Sequence, residues 1–214
     1  MAGETRTPRD SAFVLVLRAL TFDVRAFEAV RDDPSRTPLA ILLVVGANFA
    51  AGLGAVLWAI VDDSIANVGR VAVRSMVIGT ISGTLLWLAW ALVATLLLGW
   101  AFRRQADLGR MVRVMGLAYV PFAFQVLLFL GSLDLAVGII AVSGTVLLVN
   151  HAIASASDAS PLEVVLANMA GFAVFAAVLA LLGQGTTDFA PGIFALDPNV
   201  ASVGYRLATF LPVR

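Results

Sequence analysis

The feature that most constrains this chain is a succession of long stretches with no charged residue. Pro38 to Val61 (PLAILLVVGANFAAGLGAVLWAIV) runs up to Asp62 and Asp63, and Met76 to Phe102 lies between Arg74 and the pair Arg103 and Arg104. A helix needs about 20 mostly apolar residues to cross a hydrocarbon core of about 30 Å. Both stretches satisfy that length. Only 13% of the 214 residues are charged while 60% are hydrophobic. Soluble proteins carry about 25% charged residues, so the expectation is that lipid covers much of this surface.

Three further runs follow. One starts near Met115, contains Pro121 and ends near Leu133. The next extends from Leu135 to about His151. The last spans Val164 to Leu182. Gly131, Ser132 and Asp134 separate the third and fourth, which predicts a tight helical hairpin with its turn at a membrane surface; one long broken helix is the alternative. Ser160, Pro161 and Glu163 form a helix-start signal, with Ser160 as N-cap and Pro161 in the first position. The fold class expected is therefore all-α: a polytopic transmembrane bundle of five spans. The domain reading is an N-terminal segment 1–37, a transmembrane domain 38–182 and a tail 183–214.

Ahead of the first span, Ala12 to Arg31 is amphipathic. Val24, Phe27 and Val30 recur at three-residue spacing, while Asp23, Arg25, Glu28 and Arg31 fall largely elsewhere around the helix. It is expected either to lie along the interface or to pack on the rest of the protein, with Asp33 and Pro34 turning the chain towards the first span. The opening MAGETRTPRD and the interruptions at Arg18, Asp23 and Arg25 do not read as a cleavable signal peptide. The tail, rich in turn formers around GQGTTDFAPG, suggests a surface helix near Val200 to Phe210 with Tyr205 and Phe210 as interfacial anchors.

Arginine supplies the orientation, since every basic residue is Arg. Ten lie before the first span or between the second and third: Arg6, Arg9, Arg18, Arg25, Arg31, Arg36, Arg103, Arg104, Arg110 and Arg113. The other side holds Arg70, Arg74, Arg206 and Arg214. The positive-inside rule predicts a cytoplasmic N-terminus and, after five spans, an external C-terminus. Arg without Lys, with abundant Ala, Val, Leu and Gly, is the composition of a GC-rich bacterial genome, so a bacterial cytoplasmic membrane is the expected location. The formal net charge of zero gives no reason to expect a nucleic-acid partner. Zero cysteines exclude disulfides, thiolate metal sites and thiol nucleophiles.

Within the spans, small residues mark candidate packing faces: Gly46, Ala50 and Gly54 in the first, Gly79 and Gly83 in the second. They fit packing inside one bundle or a homodimer surface. The intramembrane polar residues are Asn48, Gln125, Asn150, His151 and Asn168, none of them a carboxylate. A lone polar group in hydrocarbon costs several kcal/mol unless paired, so each needs a partner or a purpose. His151, the single histidine, would either hydrogen-bond near the interface or ligate a haem or pigment. Asp158 and Glu163 are explained by capping and loop solvation. With no Ser-His-Asp arrangement, phosphate loop or metal spacing, neither an enzyme nor a resident cofactor is expected.

By the order of its segments the chain resembles the Ypt-interacting-protein (YIP) domain family of five-span membrane proteins. The similarity is carried by RAFEAVRDDPSRTPLAILL, by RVMGLAYVPFAF with Gly116 and Pro121, and by TVLLVNHAIASASDASPLEVVLANMAG, in that order over residues 20–185. The resemblance implies a five-helix bundle with a cytoplasmic N-terminus and no enzymatic activity. Eukaryotic relatives are associated with small GTPases and membrane trafficking. The long acidic N-terminal region that accompanies GTPase partners is not in this sequence, so that role is not carried over. The function expected is association with lipid bilayer and with other membrane proteins or itself, as a membrane organiser or an accessory subunit. The alternatives are a small-molecule permease, built on Gly- and Pro-interrupted helices, and a pigment- or haem-associated subunit using His151.

Overall fold

The computed structural model describes residues 11–61, 68–130 and 133–183. The predicted tail, with Tyr205 and Phe210, lies outside them, as do Arg6, Arg9, Arg206 and Arg214. Among the described residues there is helix and no strand. Five helices are long and apolar enough to cross a membrane.

Two short helices come first, α1 (Ala12–Leu20) and α2 (Val24–Arg31). The amphipathic segment is thus broken where the sequence suggested continuity. Thr21 closes α1, Phe22 takes a left-handed φ of 60°, and Asp23 caps α2 by accepting a hydrogen bond from the Arg25 N–H at 3.0 Å. Asp and Thr compete with the backbone for hydrogen bonds in this way, which favours a turn over a continued helix. Leu15, Ala19, Ala26, Phe27 and Val30 are buried in the main core. The inward face of α2 is therefore Ala26, Phe27 and Val30, and the predicted Val24 is exposed.

The first span, α3 (Thr37–Val61), follows a 3-10 turn at Pro34–Arg36, where Asp33 accepts from the Ser35 N–H at 3.1 Å. The second span, α4, is one continuous helix from Val68 to Ala101. It begins eight residues before the apolar run and takes in Arg70 and Arg74. At about 1.5 Å per residue its 34 residues measure about 51 Å, more than the about 30 Å of a hydrocarbon core requires. Two turns, Val73–Ile78 and Leu97–Ala101, are wound as π-helix.

The third span also starts early. Its α-helical half, α5 (Leu108–Ala118), contains Arg110 and Arg113, and its second half, Val120–Phe129, is a 3-10 helix. Pro121 explains the change of winding. Proline lacks an N–H, crowds the carbonyl four residues back and disfavours α geometry in the residue before it. The chain responds with three-residue bonds: Tyr119 N–H to the Gly116 carbonyl at 3.4 Å and Phe122 N–H to the Tyr119 carbonyl at 3.0 Å. Ten residues of 3-10 helix are unusual; at about 2.0 Å per residue they lengthen the span and narrow it.

The fourth and fifth spans are α6 (Asp134–Ala156) and α7 (Pro161–Gly183). α6 continues past the predicted end at His151, because Ala152, Ile153 and Ala156 pack into the core. Both halves of the third span pack along α6, which makes the pair a hairpin rather than one broken helix. α7 starts at the predicted signal: the Ser160 N–H donates to Glu163 Oε2 at 2.7 Å. α3 packs on the third span and on α4, and α7 packs on α4 and α6.

Candidate functional site

The interior polar residues of the spans do not gather around one cavity. Two of them, Asn48 and Asn168, form separate ties between helices, each beside a close backbone approach. Asn48 is the central one. It is buried on α3, its Nδ2 donates to its own helix at the Val44 carbonyl (3.0 Å) and reaches Thr84 Oγ1 on α4 (3.5 Å), and its Oδ1 accepts from the Tyr119 hydroxyl (3.3 Å). Three spans meet at one amide. Gly83 makes the room, since a Cβ there would collide with Asn48 Oδ1. Tyr119 is fully buried, stacked on Phe122 with ring centroids 4.8 Å apart and edge-on to Trp87 and Phe175.

Asn168 forms the second tie. Its Nδ2 donates to the Val146 carbonyl of α6 at 3.0 Å, and its own carbonyl accepts from Trp90 Nε1 of α4 at 3.1 Å. Beneath Trp90 lies Gly171, where a Cβ would strike the Trp90 ring. Trp90, Phe172 and Phe175 continue the aromatic cluster, at centroid distances of 5.3 and 5.6 Å from the tryptophan.

Other expected residues occupy different settings. Gly54 abuts the backbone of the third span at the Gln125 carbonyl and Val126, and Gly116 lies against Ala40, whose carbonyl oxygen would be 2.8 Å from an added Cβ. Gln125 contributes through that carbonyl, with its residue half-buried. Pro121 is buried against α6, where a Cβ on Gly144 would sit 3.4 Å from the ring. The fourfold series in the first span is split: Gly54 is buried, Ala50 half-buried, and Gly46 faces outward with nothing within 4 Å of a Cβ. The α3 face that meets α4 instead uses Gly52, whose added Cβ would be 2.5 Å from the Ser75 carbonyl. Gly79 meets only its own helix, 3.4 Å from the Arg74 carbonyl. Asn150 is half-buried, and its Oδ1 has no hydrogen-bond partner among the described residues. His151 is exposed; its Nδ1 lies 2.9 Å from the Leu147 carbonyl and its ring is edge-on to Phe22 at 5.4 Å.

A charged layer at the arginine-rich end was not legible as a unit in the sequence. Arg113, 8% exposed, sends Nε to the carbonyls of Val30 (3.1 Å) and Arg31 (2.9 Å), and Nη2 to that of Arg31 (2.6 Å). These are the last carbonyls of α2, left without intrahelical donors, and a cation there also meets the negative end of the helix dipole. Arg31 Nη1 donates to the Ser155 carbonyl near the end of α6 at 2.8 Å, and Asp32 pairs with Arg31 at 2.8 Å and Arg110 at 3.1 Å. The hydrogen bond from Arg31, with the charges of Arg31, Arg110 and Arg113, holds the Asp32 carboxyl below its ordinary range against the opposing effect of burial. Glu163 takes Arg104 in a bidentate pair at 3.0 and 3.1 Å, which raises the Arg104 pKa further. This joins the α4–α5 loop to the start of α7.

Chemically, the two ties are neutral hydrogen bonds and ring contacts, and the layer is a helix clamp. No group of three His, Cys, Asp or Glu residues suited to a metal ion occurs among the described residues. The sequence reading missed Arg113, Tyr119, Gly52 and Gly171. Tyr119 stands between Gly116 and Pro121 in the RVMGLAYVPFAF segment, and a tyrosine inside an apolar run was signal enough to ask for its partner. Comparison with protein-family models, curated proteins and solved structures finds no match.

Proposed function

We propose that this is a non-enzymatic multi-pass membrane protein that acts by association, as an organiser of the bilayer or an accessory subunit of a larger membrane complex. The observation that supports it best is the use of the interior polar groups: Asn48, Tyr119, Asn168 and Trp90 each join one span to another. Such a bundle offers its outer surface to partners. Apolar side chains exposed there include Leu42, Phe49, Ile81, Leu85 and Trp100, the last 86% exposed. The excess of arginine at one end supports a cytoplasmic side for that end under the positive-inside rule, with the C-terminus on the outer side after five spans, and the all-arginine, Ala- and Gly-rich composition supports a bacterial membrane. Kinship with the YIP-domain proteins belongs to the same proposal, supported by the five-span order. Purification in mild detergent followed by native mass spectrometry is expected to find an oligomer or stoichiometric partners. A lone monomer that stays single after gentle extraction overturns the reading.

One observation favours a second reading, a small-molecule permease. The 3-10 half of the third span departs from α geometry inside the apolar layer, and irregular backbone at that depth is a device by which transporters present carbonyl groups. Cysteines placed at Asn48, Gln125 or Asn168 would then react with a water-soluble maleimide, against a natural background of zero cysteines. Complete protection at all three positions removes that reading.

A further inference from the structure

The short helix α1 is apolar on both its inner and its outer face. Leu15 and Ala19 are fully buried against the bundle, while Phe13 and Leu17, four residues apart on one stripe, are 70% and 47% exposed. Phe22 and Val24, just beyond the helix, are exposed as well. From Ser11 to Val24 no exposed residue carries a charge, whereas the outer face of α2 bears Arg25 and Glu28. The one charged residue of α1, Arg18, is half-buried in its last turn, next to the turn that leads to α2. A helix packed on a bundle with its other side in water shows a polar outer face; α2 does and α1 does not.

The level of α1 follows from what it touches. Asn48 stands near the middle of the charge-free stretch from Pro38 to Val61, and the Tyr119 hydroxyl bonds to it. Pro121 sits against Gly144, close to the middle of α6. The 3-10 half of the third span, Val120–Phe129, therefore begins at mid-span depth, and α1 packs on it as well as on α5. α2 lies nearer the end of the spans: Arg113 holds its last carbonyls, and its Arg31 reaches the Ser155 carbonyl near the end of α6. At the turn between the two short helices, Phe22 meets His151, and Leu147, one turn further into the span on the same side of α6, is 54% exposed. The outer face of α1 thus continues the apolar outer surface of the spans. We propose that α1 is immersed in the acyl region of the leaflet at the arginine-rich end, with Phe13, Leu17 and Phe22 against lipid chains, while α2 lies at headgroup level with Arg25 and Glu28 towards water. Interfacial helices bury an apolar face about 5–10 Å into that boundary and keep a polar face outside; here the bundle covers one apolar face and lipid the other. The five spans are joined by an embedded element that enters one leaflet only.

Immersion of α1 rests on the membrane-spanning reading, and the test separates the two. The chain has zero cysteines, so single nitroxide labels can be attached to Phe13→Cys, Leu17→Cys and Glu28→Cys and, on the outer face of α4, to Leu85→Cys, all at exposed positions. The labelled full chain is placed in vesicles of phosphatidylcholine and phosphatidylglycerol. Collision of each label with oxygen, which concentrates in hydrocarbon, is compared with collision with a water-soluble nickel chelate. The labels at Phe13 and Leu17 are expected to match that at Leu85, with an oxygen-to-nickel ratio severalfold above that at Glu28. A water-like ratio at either α1 position beside a lipid-like ratio at Leu85 overturns the immersion of α1 and leaves the spans standing. Low collision with both reagents at Phe13 and Leu17 means that a partner or a second copy covers this face, and overturns lipid as the occupant. A water-like ratio at Leu85 overturns the membrane reading itself, and the immersion of α1 with it.

Discussion

Replacing Gly83 by alanine tests whether the Asn48 tie holds three spans together. The new methyl would occupy the space of Asn48 Oδ1, so the amide must rotate and release the Tyr119 hydroxyl. Overpacking costs about 1–3 kcal/mol, and a buried hydrogen bond between spans is worth about 0.6 kcal/mol. Alanine's better helix propensity returns about 1 kcal/mol. Gly83→Ala should therefore destabilise by about 0.6–2.6 kcal/mol in the wild-type background. With Asn48→Ala already present, clash and hydrogen bond are both gone, and the same change should become neutral or stabilising by up to about 1 kcal/mol. The assay is a double-mutant cycle measured by reversible unfolding in mixed detergent micelles. The sign change between backgrounds is the decisive quantity. An equal cost of Gly83→Ala with and without Asn48 would refute the argument that the glycine exists to seat the amide.

Three other outcomes follow from the same geometry. Gly171→Val should destabilise by at least about 3 kcal/mol, because the Trp90 ring and backbone both block it, whereas Gly46→Val, in open space, should stay within about 0.5 kcal/mol; micelle unfolding compares them. Arg113→Met removes the donors from the last α2 carbonyls, so trypsin should cut at Arg25 and Arg31 faster than in the wild type, with the spans intact by circular dichroism. The folded carboxyl of Asp32 lies below its ordinary value of 3.8. Its stabilising effect is therefore complete above the unfolded pKa of about 3.9 and is lost as pH falls through the lower folded value. The melting temperature in detergent should drop over that acidic window, and Asp32→Asn should remove this part of the drop; identical pH profiles would show that Asp32 is not engaged as described.

The sequence by itself determined the number and order of the spans, because about 20 uncharged residues have no stable home except hydrocarbon or a large core. It also marked the α7 start, since Ser160, Pro161 and Glu163 act within one helical turn. Span ends were less legible. α4 and α5 reach back over Arg70, Arg74, Arg110 and Arg113, because arginine is a good helix former and a charge ends the apolar run without ending the helix; Arg110 and Arg113 are held by Asp32 and the Val30 carbonyl, distant in sequence. Helix spacing also misplaced the first packing face: Gly46 and Gly54 share a register, yet only Gly54 meets another backbone. A glycine shows that an approach is possible, and the neighbouring span decides whether it occurs. The ties Asn48 to Tyr119, Asn168 to Val146 and Arg113 to Val30 join residues 71, 22 and 83 positions apart. Local pattern carries no information on such pairings; they arise when apolar packing brings the spans together and the buried polar atoms take the partners within reach.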